Sequence, residues 1–151
     1  MTHPRWTHAL FSDMDLDVLE GAIEAAEAET SAEICVHLER RLPKGVADPL
    51  DRAREVFARL GMDRTAQRNG VLIYLAVEDH RLAVLGDEGI HARVGQEHWE
   101  RVRDLMVERL RRQAPREALL DAIAEVGRAL RQHFPRRPDD RNELSDRVSV
   151  E

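Results

Sequence analysis

The sequence predicts an α/β domain: a small central mixed parallel/antiparallel sheet sandwiched between helices. Three observations predict it. Residues 33–39 (EICVHLE) alternate apolar and polar, as a strand with one strongly apolar face does. Residues 71–77 (VLIYLAV) are apolar throughout, which is the pattern of a strand buried on both faces and therefore covered by helices on both sides. Between them lies an amphipathic stretch long enough for a crossover, so the two strands are expected to run parallel.

The elements follow in order. Ser12 has the chemistry of a helix N-cap, with Asp15 three positions on as the reciprocal acid of a capping box. Leu16, Leu19, Ile23 and Ala26 then recur at helical spacing, and the helix is expected to end near Glu29 and Thr30. Asp13, Asp15 and Asp17 alternate like metal ligands. In a helical first turn they point in different directions, so capping and favourable interaction with the helix dipole account for them. Residues 40–47 read as a loop. Asp48-Pro49 opens the crossover helix, whose stripe is Leu50, Ala53, Val56, Phe57 and Leu60, with Gly61 as its stop.

Glu78-Asp79-His80 is too short for a second crossover, which makes Arg81–Leu85 an antiparallel hairpin partner of the central strand. That strand is expected to close on the turn Gly86-Asp87-Glu88-Gly89. Two helices are expected next, with stripes Trp99, Val102, Met106, Leu110 and Leu119, Ile123, Val126, Leu130, Phe134. The residues thus form a single domain over 1–135, followed by an irregular tail over 136–151 that drapes over it.

Composition narrows the function classes. The 151 residues carry 23 Lys+Arg against 29 Asp+Glu, a formal charge of -6, which argues against a nucleic-acid partner. Up to residue 39 there is one base, Arg5, against nine acids; the basic residues are concentrated downstream. No stretch nears the ~20 apolar residues of a membrane span. The first residues lack the basic-then-apolar plan of a signal peptide, so a cytoplasmic protein is expected. A lone cysteine, Cys35, allows neither an internal disulfide nor a cysteine-cluster metal site. It is read as structural; a contact with His37 two positions on is geometrically allowed, since the two share a strand face.

The seven histidines form no zinc-protease pair, and His91 and His98 share a helix face only if one helix runs through Gly95. No phosphate-binding glycine loop or nucleophile elbow is present, so no catalytic residue is assigned. The arginines of the Trp99 helix interleave with acids at i,i+4 spacing, the pattern of a solvated, ion-paired face.

Topology brings two sets of polar residues together. Beyond the carboxyl ends of the parallel strands lie Glu39, Arg40, the 40–48 loop and the hairpin Glu78-Asp79-His80. The opposite edge collects Ser31, Glu33, Asp63, Asn69, Asp87 and Glu88, because the antiparallel strand returns there. This second edge is richer in hard oxygen donors. Asp63, Asp87, Glu88 and Glu33 are the candidate ligands for Ca²⁺ or Mg²⁺, which take six or more oxygens. The competing reading is that Asp87 and Glu88 are a polar strand end.

Several segments together resemble the TPM domain family: Thr30-Ser31-Ala32-Glu33-Ile34 its opening strand, Gln67-Arg68-Asn69-Gly70-Val71-Leu72-Ile73 its central strand, and Val77-Glu78-Asp79-His80-Arg81 its hairpin. Gly86-Asp87-Glu88-Gly89-Ile90 resembles the glycine turn that follows. The likeness runs over about residues 12–148 and is greatest to the short soluble bacterial branch. The resemblance implies an α/β sandwich, a Ca²⁺ or Mg²⁺ site in some members, and acid phosphatase activity claimed for a plant member. The chain departs from the pattern in reading Gly-Asp-Glu-Gly where many relatives have a glycine–aromatic–glycine turn followed by Glu.

The expected role is therefore a divalent-cation-binding or protein-partner-binding module. The alternative is a metal-assisted phosphomonoesterase, with Asp87 or Glu88 as ligands, His91 as general acid and Arg68 as phosphate clamp. The acidic first helix offers a third reading, as a surface for a protein partner.

Overall fold

The computed structural model describes residues 4–136 and 148–151. It is an α/β fold with the predicted mixed sheet. A 3₁₀ turn at Arg5–Ala9 precedes α1 (Asp13–Glu27) and β1 (Ile34–Glu39). Then come α2 (Pro49–Arg59), a 3₁₀ turn at Met62–Arg64, β2 (Val71–Ala76) and β3 (Arg81–Gly86). Three helices, α3 (Glu88–Val94), α4 (Gln96–Arg111) and α5 (Pro115–His133), lead to the short β4 (Ser149–Val150). The strand order is β3-β2-β1-β4. β1 runs parallel to β2 with Ile34 opposite Val71, and β3 is antiparallel to β2 with Gly86 opposite Val71.

Local chemistry sets the boundaries. Ser12 and Asp15 form the predicted capping box, each side chain bonded to the other's backbone N–H at 3.0 Å. Asp48 caps α2 with Pro49 at its first position, and Gly61, at φ 73, ends it in the left-handed conformation glycine adopts most easily.

The sheet has two unequal faces. On one, Ile34, Val36, Leu38, Ile73 and Val84 pack against the apolar stripes of α1, α4 and α5. On the other, Cys35, Leu72, Tyr74 and Ala83 pack against α2 with Met62. Every residue of β2 is buried, as its unbroken apolar run requires.

Three features differ from the expectation. α1 stops at Glu27, before Glu29. The Gly86–Gly89 turn opens a helix, α3, because Asp87 accepts a hydrogen bond from Glu88 N–H as its N-cap. Gly95, at φ 76, then separates α3 from α4, so His91 and His98 lie on different helices. Finally, of the segment read as an irregular tail, 137–147 lie outside the described residues and the end is a strand: Ser149 and Val150 pair with His37 and Leu38, which makes β1 an interior strand. Two strand residues are too few to leave a periodic signal in sequence.

Candidate functional site

Two polar clusters stand out, one at each end of the parallel strands. The first is the edge that the sequence marks as oxygen-rich. The backbone of Arg68 sits at φ 52, a conformation uncommon outside glycine. Its carbonyl accepts from Gly89 N–H at 2.8 Å, which ties the loop before β2 to the start of α3. A Cβ on Gly89 would lie 2.2 Å from the Gln67 carbonyl and 2.5 Å from that of Arg68, so the close approach needs glycine.

The Arg68 side chain then turns onto the acids. Nε and Nη2 donate to the two Asp87 oxygens at 2.9 and 3.1 Å, and Nη1 pairs with Glu88 at 3.2 Å. The Asp87 carboxylate, then the charges of Glu88 and Asp63, hold the guanidinium pKa above its ordinary value. Three of the four predicted ligands thus act on one cation belonging to the protein itself.

Their exposure differs. Asp63 and Glu88 are exposed, Asp87 is buried, and Glu33 is buried at the entry to β1, where its carbonyl accepts from Val71 N–H. Beside them, Ser31 Oγ donates to Gln67 Oε1 at 2.7 Å, and Asn69 Nδ2 reaches both. Asn69 Oδ1 and Thr65 Oγ1 are buried with no hydrogen-bond partner among the described residues, although buried oxygens are normally paired. His91 accepts from Trp99 Nε1 at 2.9 Å.

The second cluster lies between β1 and α2, on the less apolar sheet face. Glu39 receives Arg52 Nη2 and Nε at 2.7 and 3.0 Å, and the Tyr74 hydroxyl at 2.6 Å. Arg52 also donates to Glu55 and to Glu151. Glu151 pairs with Arg59 and approaches His37 Nε2 at 3.3 Å, while Ser149 Oγ lies 2.9 Å from His37 Nδ1.

Among the described residues, His37, Glu39 and Glu151 are the group of three whose ligand atoms all lie within 4.8 Å of one another; the carboxylates around Arg68 are not so close. Burial works to raise the Glu39 pKa, but the hydrogen bonds from Arg52 and Tyr74 outweigh it and hold the carboxyl below its usual range. Burial lowers the His37 pKa, so its imidazole is held neutral. Burial and the Glu39 carboxylate push the Tyr74 phenol up. The arrangement is a neutralised lock that joins the segment 148–151 to β1 and α2.

Reasoning from sequence missed most of this lock. His37 and Glu39 carried a signal, being two apart on one strand face. Glu151 carried none, because β4 is too short to announce itself. Cys35 lies on the same face, and its burial pushes the thiol up to about 12, where it is inert.

The sequence profile of the TPM domain matches residues 7–129. Among solved structures, the chain is similar to the BA42 protein from the psychrophilic bacterium Bizionia argentinensis. Identity is 37% with a TM-score of 0.83, over 93% of this chain and 95% of that one. The same fold recurs in the N-terminal domain of a P. gingivalis protein, at 19% identity and a TM-score of 0.68 over 85% of this chain and 83% of that one. It recurs again in the N-terminal domain of the cg2496 protein from Corynebacterium glutamicum, at 16% identity and a TM-score of 0.61 over 80% and 74%. No curated protein matches the sequence.

Proposed function

The chain belongs to the TPM domain family, and on that premise we propose that it is a divalent-cation-binding module whose site is the edge around Arg68. The observation that carries this reading is the guanidinium itself. It stands among Asp63, Asp87 and Glu88, a place where the protein already stabilises positive charge. With its side chain 44% exposed, it can swing into solvent and release those carboxylates.

The donor set suits a hard cation. Ca²⁺ and Mg²⁺ take carboxylate, amide, hydroxyl and carbonyl oxygens, and this edge offers Asp63, Asp87, Glu88, the unpartnered oxygens of Asn69 and Thr65, and the carbonyl of Gln67. Glu33 adds negative charge from within the fold. The lock on the other edge is a poorer host, since Arg52 and Tyr74 already fill the acceptor positions of Glu39. No helix among the described residues is long and apolar enough to cross a membrane.

Calorimetric titration with Ca²⁺ and with Mg²⁺ tests the proposal. Saturable heat is expected from the native chain, and its loss from Asp87→Ala. Heat that persists in Asp87→Ala would move the site elsewhere. A phosphomonoester assay on the metal-loaded protein separates the module from the metal-assisted phosphatase: the module releases no phosphate above buffer.

A further inference from the structure

A groove of about 560 Å³ lies where α3, α4 and α5 meet. Its volume falls in the range of small-molecule sites, roughly 300–1,000 Å³. Its charged lining is one-sided: Arg93, His98, Arg101, Arg128 and His133 against the single acid Glu125. Glu125 is already paired with Arg128. Arg93 and Arg101 have no acidic partner among the described residues.

Two independent features point the same way. α4 starts at the groove after Gly95 with no side-chain cap, so the first N–H groups of a sixteen-residue helix have no side-chain acceptor there, although Glu97 in its first turn offsets part of the positive end. His98, in the groove wall, is only 8% exposed, yet its Nε2 has no hydrogen-bond partner among the described residues. The carboxyl end of α5 also reaches the groove and opposes an anion, but His133 and Arg131 in its last turn offset that end.

We propose that this groove is an anion-binding site that takes the phosphate group of a small molecule between Arg93 and Arg101, with His98 in its wall. Planar guanidinium forks match phosphate oxygens in pairs, and a tetrahedral oxyanion supplies acceptors to donors that have none. The site is independent of the cation site, and its test is run without divalent ions. A phosphate at this position also favours protonation of His98. In the free groove, burial and then the charges of Arg101, Arg128 and His133 lower the His98 pKa, with Glu125 opposing them.

The experiment is a heteronuclear NMR titration at constant ionic strength, with inorganic phosphate in one arm and glycerol phosphate in the other. The site predicts saturable shifts confined to the amides of 93–101 and 125–133 and to the His98 ring, and a rise in the pH at which that ring titrates. Arg101→Ala, a change at an exposed position, is expected to weaken binding about tenfold, the worth of one charge-assisted hydrogen bond. Arg111→Ala, outside the groove, is expected to leave it unchanged. Binding of glycerol phosphate alone assigns the site to an organic phosphate, and binding of both assigns it to the phosphate group itself. The absence of saturable shifts in both arms, or equal weakening by the two substitutions, overturns the proposal.

Discussion

The two ends of the parallel strands use the same ingredients to opposite effect. At one end Arg52 and Glu39 are closed away, with side chains 12% and 11% exposed and Tyr74 completing the acceptor set. At the other, Arg68 binds a buried Asp87 in the same two-pronged way, but the arginine side chain is itself 44% exposed and its second partner, Glu88, is 74% exposed. A buried ion pair is costly to break, whereas an exposed one is screened and exchangeable. Carboxylates beside an arginine therefore say little by themselves; burial decides whether they form a lock or a site.

Substitution sharpens that contrast. Glu39→Ala leaves Arg52 and the Tyr74 hydroxyl buried without their main acceptor, and is expected to cost about 3 kcal/mol in urea denaturation. Asp87→Ala removes mainly the N-cap of α3 and is expected to cost about 1 kcal/mol. Equal losses would break the distinction.

The backbone at the open edge is less forgiving than its side chains. Gly89→Ala forces a methyl against the Gln67 and Arg68 carbonyls, so α3 must move away from the loop. Overpacking of this kind is expected to cost about 2 kcal/mol, and it should weaken cation binding as well as lower the melting temperature.

The smallest effect is the pH response of the lock. His37 has a depressed pKa in the fold, so the unfolded chain binds its proton first. Stability is complete above the ordinary histidine value of 6.5 and falls as pH drops from there toward the folded value. Glu39, also depressed, adds a second loss at lower pH, as its carboxyl protonates on passing down through its folded value. His98 contributes with the same sign as His37, so the share of His37 is read from urea curves of native and His37→Gln protein between pH 7 and pH 5. Identical pH slopes in the two proteins would remove His37 from the lock.

Much of this architecture is legible in the residues. The unbroken apolar run of β2 and the alternation of β1 define the sheet, and the capping groups Ser12 and Asp48 mark the starts of two helices. What escapes depends on distant contacts. α3 is hidden because Asp87 reads equally as the end of a strand or the cap of a helix, and the packing of Gly89 against the Arg68 loop decides between them. Of the candidate ligands, Asp87 and Glu88 pair with Arg68 and Asp63 acts on it only through its charge; the guanidinium between them follows from a backbone turn that no periodicity reports.

If Arg68 holds the place of an exchangeable cation, as proposed, calorimetric Ca²⁺ titration of Arg68→Ala beside the native chain shows it. Removing a like charge from the edge of the site is expected to tighten binding about tenfold. Unchanged or weakened binding in Arg68→Ala would mean that Arg68 is no competitor of the metal.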